Sequence, residues 1–485
     1  MGVRKHAAVF RAARKRGIYH VNKQRSSFSS RIGFVLAAAG SAVGLGNLWR
    51  FPYLAAKYGG GIFLLVYIIL AVTFGFALMI TEIAIGRKTR LSCIGAYKAL
   101  DRRFGFLGWL ATLVPVIITP YYCVIGGWVM KYLFTFLSGG ALDAADGGDF
   151  FGGFIGFDAG SVFGTMFHFA GPTPWFLIFV LLTSVVVIFG VEKGIEKASR
   201  IMMPILAILS ILVAVYSLTI DGAMDGLKYY LLPDFSQFSA STVLGALGQL
   251  FYSMSLAMGI MITYGSYMQK ENILEHSVTQ IEIFDTLFAF VAGLMIIPAV
   301  VAFNGGDPSA INAGPGLMFV TLPMVFENMA FGTVVGAVFF VLVLFAALTS
   351  SISLMETIVS VLIDKTHMKR TPATILMTCI VLLFGIPSCL GYGPWAGVTV
   401  IGMQFLDFFD FISNSVLMPV VAFLTCILIG HVVGTKAIAD EVKEGANAFH
   451  REKLHRVMIR WVAPVLLLLI LGTELATKVF GLFSI

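Results

Sequence analysis

Small and polar residues interrupt two of the long apolar segments of the chain. The first interruption holds Gly40, Gly44, Gly46 and Asn47, and the second is the run 252–259, which contains two serines and a glycine. A helix broken at such a place exposes backbone carbonyl groups at one end and backbone amides at the other, and these attract a cation and an anion respectively. The two interruptions could therefore bind sodium together with the carboxylate of a small solute.

Other kinds of chemistry lack the residues that they need. The eight histidines show no H-E-x-x-H or other metal-ligand spacing, and the five cysteines form no C-x-x-C pair, so no zinc site is expected. A membrane enzyme would need a nucleophile with its base, or metal ligands, and no histidine falls near the interruptions. An ion channel would show a polar stripe along a pore, whereas these polar residues cluster at one depth. We therefore expect no enzymatic activity and no cofactor.

The elements that must position these residues are membrane helices. Of the 485 residues, 58% are apolar and 12% are charged, and the mean hydropathy is +0.91. A soluble domain carries about twice that share of charge, and a helix needs roughly 20 apolar residues to cross a bilayer. The sequence thus predicts an all-α polytopic membrane protein. Its eleven transmembrane helices are expected near residues 33–55, 60–86, 108–137, 175–191, 200–219, 242–268, 278–303, 333–363, 373–390, 405–432 and 458–481.

Basic residues fall on alternate connections between these helices. The segments 1–31, 87–103 and 436–460 are examples, and 28 of the 33 Lys and Arg residues lie on one side of the predicted topology. That side is cytoplasmic by the positive-inside rule, which places the N-terminus inside. The basic tail is interpreted as an orientation determinant on anionic lipid, with no nucleic acid as partner. We expect a plasma membrane protein, in a bacterial inner membrane, because the outer loop 138–173 is short and has no N-x-S/T acceptor.

The two interruptions lie five helices apart, in the first and the sixth predicted helix. Discontinuous helices at matching positions of two halves indicate an inverted repeat with its binding site at the membrane midplane. We therefore predict an inverted 5+5 repeat with helices one and six broken at mid-membrane. The predicted organisation is a basic cytoplasmic tail at 1–30, five-helix repeats at 31–220 and 241–433, a cytoplasmic loop at 434–456, and an eleventh helix with a short outer tail at 457–485.

Residues 31–52 carry a resemblance to a known family. They read R-x-G-F-x-x-A-x-x-G-x-A-V-G-L-G-N-x-W-R-F-P, and further matches include Tyr67, the pair 121–122, and the runs 249–253 and 346–351. In these motifs the chain resembles the neurotransmitter:sodium symporters, and most of all the shorter bacterial members with eleven spans. The resemblance implies the leucine-transporter fold and sodium-coupled amino-acid uptake by alternating access.

The resemblance also implies two sodium sites. The residues of the first site would be Ala42 through its carbonyl oxygen, Asn47, Ser253 and Asp285. The residues of the second site would be Gly40, Val43 and Ala346 through their carbonyl oxygens, with the hydroxyl groups of Thr349 and Ser350. Sodium is a hard cation that prefers such oxygen ligands. The alternative for the hydroxyl groups is that they bond back to carbonyls of their own helix.

Asp285 departs from the animal members of the family, which have asparagine there and a serine-lined chloride site nearby. The later serine position is Ala289 in this chain. A carboxylate at the bilayer centre costs about 2.5–3.5 kcal/mol on insertion scales, so we expect Asp285 to have a cation partner and to supply the negative charge that chloride supplies elsewhere. We therefore predict chloride independence. The alternative is a protonated or pore-facing Asp285 without an ion.

The solute contacts implied by the resemblance are uncharged. The substrate-binding residues would be Gly44, Leu45, Gly46, Ile118, Tyr122, Tyr252, Ser253, Ser255, Ala257, Met258, Ser350, Ser353 and Leu354. Backbone amides near Leu45 and the Tyr122 hydroxyl would hold a carboxylate, and carbonyls around Tyr252 an ammonium group. Monoamine carriers of the family have aspartate at Gly44, and its absence leaves room for the carboxylate of the solute. A charged side chain would be poorly solvated here, which favours a neutral apolar or aromatic amino acid.

Two gates follow from the same resemblance. The outer gate would consist of Arg50 with Asp410, covered by Tyr122 and Tyr252, and Asp407 is the alternative acid. The inner gate would consist of Arg25 with Asp364, together with Tyr267 and with Phe28, which stands where the family usually has tryptophan. Glu82 and Glu356 are expected to be structural, bonding broken-helix backbone or the inner network.

We predict a sodium-coupled symporter that imports a neutral L-amino acid, with two Na⁺ ions bound as co-transported ligands. Its other partner is the lipid bilayer, and a monomer is expected because the missing twelfth span removes part of a dimer contact of the relatives. Two alternatives stay open. A proton-coupled transporter is conceivable because Asp285 can titrate, and an amino-acid sensor of the same fold would not transport.

Overall fold

The computed structural model describes residues 26–139, 147–307, 311, 314–446 and 448–478. Nearly all of these residues belong to helices or short turns, and most of the predicted basic tail lies outside them. The helices are α1 Arg31–Ala42, α2 Gly46–Lys57, α3 Gly61–Thr89, α4 Cys93–Leu100, α5 Arg102–Leu137, α6 Gly147–Ile155, α7 Val162–Phe167, α8 Thr173–Ile188, α9 Val191–Ser217, α10 Ala223–Leu231, α11 Ala240–Ser253, α12 Ile260–Tyr267, α13 Leu274–Phe303, α14 Leu317–Glu327, α15 Gly332–Thr366, α16 Arg370–Leu390, α17 Phe405–Val433, α18 Lys436–Lys443 and α19 Glu452–Lys478.

Among the described residues, eight helices are long and apolar enough to cross a membrane: α3, α5, α9, α13, α15, α16, α17 and α19. A ninth span results if α1 and α2, which meet at a bend of 52°, count as one. The predicted fourth span is α8, with only 16 residues, and the predicted sixth span is divided between α11 and α12. The all-helical membrane fold is confirmed, whereas the count of eleven spans stays a prediction.

The first broken helix changes direction between α1 and α2. Helix α1 begins directly after Ser30, whose hydroxyl accepts a hydrogen bond from the Gly33 amide. The helix ends before Val43, which adopts an extended backbone conformation. The side-chain oxygen of Asn47 then accepts a hydrogen bond from the Gly44 amide at 3.2 Å. This bond satisfies a buried amide that the break would otherwise leave unpaired. The helix is therefore broken within the interruption that the sequence shows.

The second broken helix is interrupted between α11 and α12. Helix α11 begins with a capping box formed by Ser239 and Thr242. After α11 ends, Ser255 (φ 53°), Ala257 (φ 59°) and Gly259 (φ 72°) take left-handed backbone conformations. Only glycine adopts this region without a steric cost, so contacts elsewhere must stabilise the two non-glycine residues.

Glu82 on α3 supplies one of these contacts. Its Oε1 accepts a hydrogen bond from the Ala257 amide at 2.7 Å, and its side chain is buried. Leaving that amide unpaired would cost about 1–3 kcal/mol. Helix α3 can approach α12 closely because a Cβ atom is absent at Gly86, where it would lie 1.9 Å from the Ile262 carbonyl oxygen. Glu82 thus has the structural role expected for it.

Three long helices surround the two breaks. Helices α5 and α15, of 36 and 35 residues, pack against each other, and α15 also packs against α1. Helix α13 packs against α1 and α3. These contacts place Tyr122 of α5, Ser350 of α15 and Asp285 of α13 around the ends of the broken helices.

Several basic connections meet at one end of the bundle, which we call the basic end. Ser29, just before α1, donates its hydroxyl hydrogen bond to Glu196 on α9 at 2.7 Å. Arg87, at the end of α3, forms an ion pair with Glu441 of α18 at 2.9 Å, and both side chains are buried. The orientation of the basic end toward the cytoplasm stays a prediction.

Candidate ion and solute site

Asp285 lies in a buried polar cluster beside both breaks. Its Oδ1 accepts a hydrogen bond from Asn47 Nδ2 at 2.9 Å, and its Oδ2 accepts hydrogen bonds from Ser253 Oγ at 3.2 Å and Tyr67 Oη at 3.3 Å. Each of these four side chains is at most 4% exposed. Donors that converge on a carboxylate in this way stabilise its charged form.

The cluster brings together three of the four residues expected at the first sodium site. Asn47, Ser253 and Asp285 are in contact, and Ala42 lines the adjoining cavity. Tyr67 is an additional member, which the sequence identified only as part of a motif. Its hydroxyl group within the otherwise apolar start of α3 is the signal that could have indicated a site role.

The residues expected at the second sodium site meet where α1 faces α15. Ser350 Oγ donates a hydrogen bond to the Ser41 carbonyl at 3.2 Å, and a Cβ atom at Gly40 would lie 3.2 Å from the Thr349 side chain. The Thr349 hydroxyl donates within its own helix, to the Ala346 carbonyl at 3.1 Å. For Thr349 the structure therefore has the back-bonded arrangement that the sequence left open as the alternative.

A cavity of about 40 Å³ lies between the two breaks. The expected solute residues that line it are Gly44, Leu45, Gly46, Ile118, Tyr122, Tyr252, Ser253, Ser255, Met258, Ser350 and Leu354. Ser41 and Ile260 also line the cavity and were not predicted, although each lies at an interruption. This volume accommodates one or two water molecules, so an amino acid requires adaptable side chains such as Met258 to move.

Two expected solute residues lie behind the cavity wall. Ala257 is turned to Glu82 through its backbone amide. Ser353 Oγ donates to the Thr349 carbonyl at 2.9 Å and accepts a hydrogen bond from Tyr264 at 2.7 Å. Neither residue is among those that line the cavity.

One end of the cavity has hydroxyl groups beside a glycine. Buried Tyr122 Oη makes no well-formed hydrogen bond in the described part of the chain, although the Ser350 hydroxyl and the Leu45 amide are nearby. A Cβ atom at Gly44 would lie 2.8 Å from Ser350 Oγ and 3.3 Å from Tyr122 Oη. Hydroxyl donors next to the start of a helix are suited to a carboxylate.

The expected outer-gate pair is not formed in this structure. Arg50 lies over the Tyr252 ring, 5.4 Å from its centroid. Asp410 Oδ1 instead accepts hydrogen bonds from Asn414 Nδ2 at 2.6 Å and Tyr121 Oη at 3.2 Å. Within the described ranges, Asp410 makes no ion pair with Arg50, and these two hydrogen-bond donors are uncharged.

The alternative outer-gate acid, Asp407, is also engaged elsewhere. Its Oδ2 accepts a hydrogen bond from Tyr392 at 3.2 Å. Tyr122 and Tyr252 both line the cavity, in the position expected of an aromatic lid. The residues of the expected outer gate are thus two tyrosines at the cavity and an arginine over one of their rings.

The expected inner-gate pair stays a prediction, because one of its two residues is not described. Arg25 lies outside the described residues, and Asp364 accepts a hydrogen bond from the Ser92 amide at 2.8 Å. Phe28 is 1% exposed and packs edge-on against Tyr267, with 6.3 Å between ring centroids. The two aromatic residues of the expected inner gate are thus in contact with each other.

Tyr267 also belongs to a buried polar network. Glu356 on α15 is fully buried and accepts hydrogen bonds from both terminal nitrogens of Arg370 on α16, at 2.6 and 2.9 Å. Tyr267 on α12 donates its hydroxyl to the same carboxylate at 2.6 Å. Glu356 therefore belongs to the inner network, as expected, and joins three helices there.

Replacing Arg370 by glutamine is expected to lower the free energy of unfolding by about 3–5 kcal/mol, because the change leaves the buried Glu356 charge uncompensated. The measurement is the melting temperature of the purified protein in detergent. The matched control is Lys228→Gln, whose partner Asp225 is largely exposed, so that variant should melt like the unmodified protein. Equal melting temperatures for the two variants would contradict the structural role of Arg370.

Comparison with known proteins gives concordant results. A model described as the sodium:neurotransmitter symporter family matches residues 25–141 and 160–480. An uncharacterised sodium-dependent transporter of Bacillus subtilis is 38% identical over 428 residues, which cover 87% of this chain and 91% of that protein. Another, of Haemophilus influenzae, is 35% identical over 471 residues, covering 94% and 99%. The crystal structure of MhsT in complex with L-phenylalanine is similar, with a TM-score of 0.82 and 37% identity, over 93% of this chain and 100% of that one.

Proposed function

The chain belongs to the sodium:neurotransmitter symporter family, and we propose that it imports a neutral, apolar or aromatic L-amino acid together with Na⁺ and without Cl⁻. As a member of this family it is a sodium-dependent symporter and not an enzyme. The identity of the solute, the absence of a chloride requirement and the number of sodium ions are the parts that we propose.

The buried contacts of Asp285 carry the proposal of chloride independence. Asn47, Ser253 and Tyr67 all donate to its carboxylate, and donors that converge in this way favour its negatively charged form. A sodium ion next to the cluster would be neutralised by this charge. In this arrangement no chloride ion is needed to balance the charge of the sodium ion.

The lining of the cavity supports the proposed solute. It combines Ile118, Met258, Ile260 and Leu354 with two tyrosines, and it contains no Lys, Arg, Asp or Glu among the described residues. The carboxylate of the solute would lie near Gly44 and Tyr122, and its apolar part against the aliphatic residues. The similar MhsT structure was obtained with L-phenylalanine, which favours an aromatic solute here.

We further propose two sodium ions. The first would bind at Ala42, Asn47, Ser253 and Asp285, and the second would bind at the contact of α1 with α15 after Thr349 rotates its hydroxyl away from its own helix. The protein would act as a monomer in the plasma membrane, with its basic end in the cytoplasm. Alternating access would open the aromatic layers on the two sides of the cavity in turn.

Binding of labelled phenylalanine to the purified protein tests the site. The assay compares NaCl, sodium gluconate and choline chloride at equal ionic strength, with leucine and lysine as competitors. The proposal predicts saturable binding in both sodium salts, none in choline, and competition by leucine but not by lysine. Binding that needs chloride would contradict the proposed role of Asp285. Binding that is indifferent to sodium but follows pH would favour the proton-coupled alternative.

A further inference from the structure

One arginine near the start of α19 reaches into the seam between α3 and α13. Arg451 Nη1 lies 3.1 Å from Glu282 Oε2 on α13, and Nη2 donates a hydrogen bond to Thr279 Oγ1. On the α3 side, the guanidinium carbon lies 3.3 Å from the centroid of the Phe76 ring, and Nη1 reaches the Val72 carbonyl at 3.5 Å. A single side chain therefore bridges the two helices with charge, hydrogen bonds and a cation–π contact.

The same two helices form part of the Asp285 cluster. Glu282 precedes Asp285 by three residues on α13, which is one turn of the helix or about 4.5 Å along its axis. Val72 and Phe76 follow Tyr67 on α3, toward the basic end. Arg451 thus joins α3 to α13 one turn nearer the basic end than the 3.3 Å hydrogen bond between Tyr67 and Asp285.

The backbone that carries Arg451 is itself held on α13. The carboxylate of Glu275 accepts hydrogen bonds from the backbone amides of His450 at 2.9 Å and Arg451 at 3.0 Å. Glu275 is 8% exposed. Because the backbone is anchored, the arginine is presented to the seam in a fixed direction and loses little further conformational freedom when it binds.

Glu282 depends on this arginine. Its side chain is only 4% exposed, and within the described residues Arg451 is the cation that pairs with it. Without Arg451, a buried carboxylate one turn from Asp285 would have no counter-charge. Glu282 would then take up a proton or attract a cation. Either response changes the electrostatic potential at the neighbouring Asp285 cluster.

We propose that Arg451 is a positioning residue for the first sodium site. It neutralises Glu282 and holds α3 against α13, which keeps the Tyr67 and Asp285 side chains in the arrangement that favours the ion. The inference rests on the proposed function, because it concerns the sodium affinity of that same site. Arg451, just before the last helix, would thus affect the first sodium site without being a ligand of the ion.

The test is the sodium dependence of phenylalanine uptake in proteoliposomes for Arg451→Gln. We expect the sodium concentration at half-maximal uptake to rise at least about fivefold, the range of coupling between linked sites. The maximal uptake at saturating sodium should stay within about twofold of the unmodified protein, since no solute contact is changed. A loss of stability alone would lower the maximal uptake and leave the half-maximal sodium concentration unchanged.

Two further variants complete the test. Glu282→Gln/Arg451→Gln removes both charges and should return the half-maximal sodium concentration toward that of the unmodified protein. Arg456→Gln is the matched control, because Arg456 is 55% exposed and pairs with Glu452 four residues before it. An unchanged half-maximal sodium concentration in Arg451→Gln, or no recovery in the double variant, would overturn the inference. Sodium-independent uptake by the unmodified protein would instead overturn the proposed function on which it rests.

Discussion

Replacing Asp285 by asparagine is expected to make uptake dependent on chloride. The change preserves shape but removes the negative charge on which Asn47, Ser253 and Tyr67 converge. A hydrogen bond to a charged group contributes about 1.5–3 kcal/mol, and a loss of 1.4 kcal/mol is about tenfold in an equilibrium constant. Uptake in sodium gluconate should therefore fall by about tenfold or more.

Chloride bound beside the cluster would restore the missing charge, because the Tyr67 and Ser253 hydroxyls can donate hydrogen bonds to an anion there. The measurement is uptake by the Asp285→Asn variant in sodium chloride and in sodium gluconate. Asp225→Asn is the control. Asp225 is also an aspartate, but it is largely exposed and forms an ion pair with Lys228. A variant that transports as well in gluconate as the unmodified protein does would contradict the role given to Asp285.

Introducing a methyl group at Gly46 is expected to reduce uptake by about tenfold or more, since overpacking a filled site costs about 1–3 kcal/mol. A Cβ atom there would lie 2.5 Å from two carbons of the Tyr252 ring. That ring lines the cavity and lies beneath Arg50. To make room for the methyl group, it would move into the cavity or away from the arginine. Either movement alters the lid over the solute.

Uptake of labelled phenylalanine at several concentrations tests the Gly46→Ala variant. The matched control is Gly472→Ala, because no heavy atom outside its own stretch of helix lies within 4 Å of a Cβ atom built there. The control should transport like the unmodified protein. If Gly46→Ala transported equally well, the Tyr252 ring would not close the cavity as described.

The breaks in the two helices were predictable because their cause is local. Glycines, serines and Asn47 within apolar segments cannot maintain a lipid-exposed helix, and the structure breaks both helices at those residues. The identification of the family from the motif at 31–52 is likewise confirmed. Assigning Asn47, Ser253 and Asp285 to one site required the resemblance, because they come from three separate segments of the chain.

The partners of charged side chains could not be predicted in the same way. Asp410 and Arg370 each have several possible partners in sequence, and the choice depends on which donors the packed helices present. In the structure Arg370 forms an ion pair with Glu356, and Asp410 accepts hydrogen bonds from Asn414 and Tyr121. The packing of α3 against α13 brings Tyr67 into the cluster. Neither residue spacing nor hydropathy predicts which helices pack together in this way.

The most direct test of sodium-coupled, chloride-independent import is accumulation of labelled phenylalanine in proteoliposomes that contain the purified protein. An inward sodium gradient is imposed in gluconate medium, and an ionophore that dissipates the gradient is added after the plateau. We predict accumulation above the external concentration and release after the ionophore, with no effect of replacing gluconate by chloride. Equal uptake in sodium and choline media, or accumulation that follows an imposed proton gradient instead, would contradict this prediction.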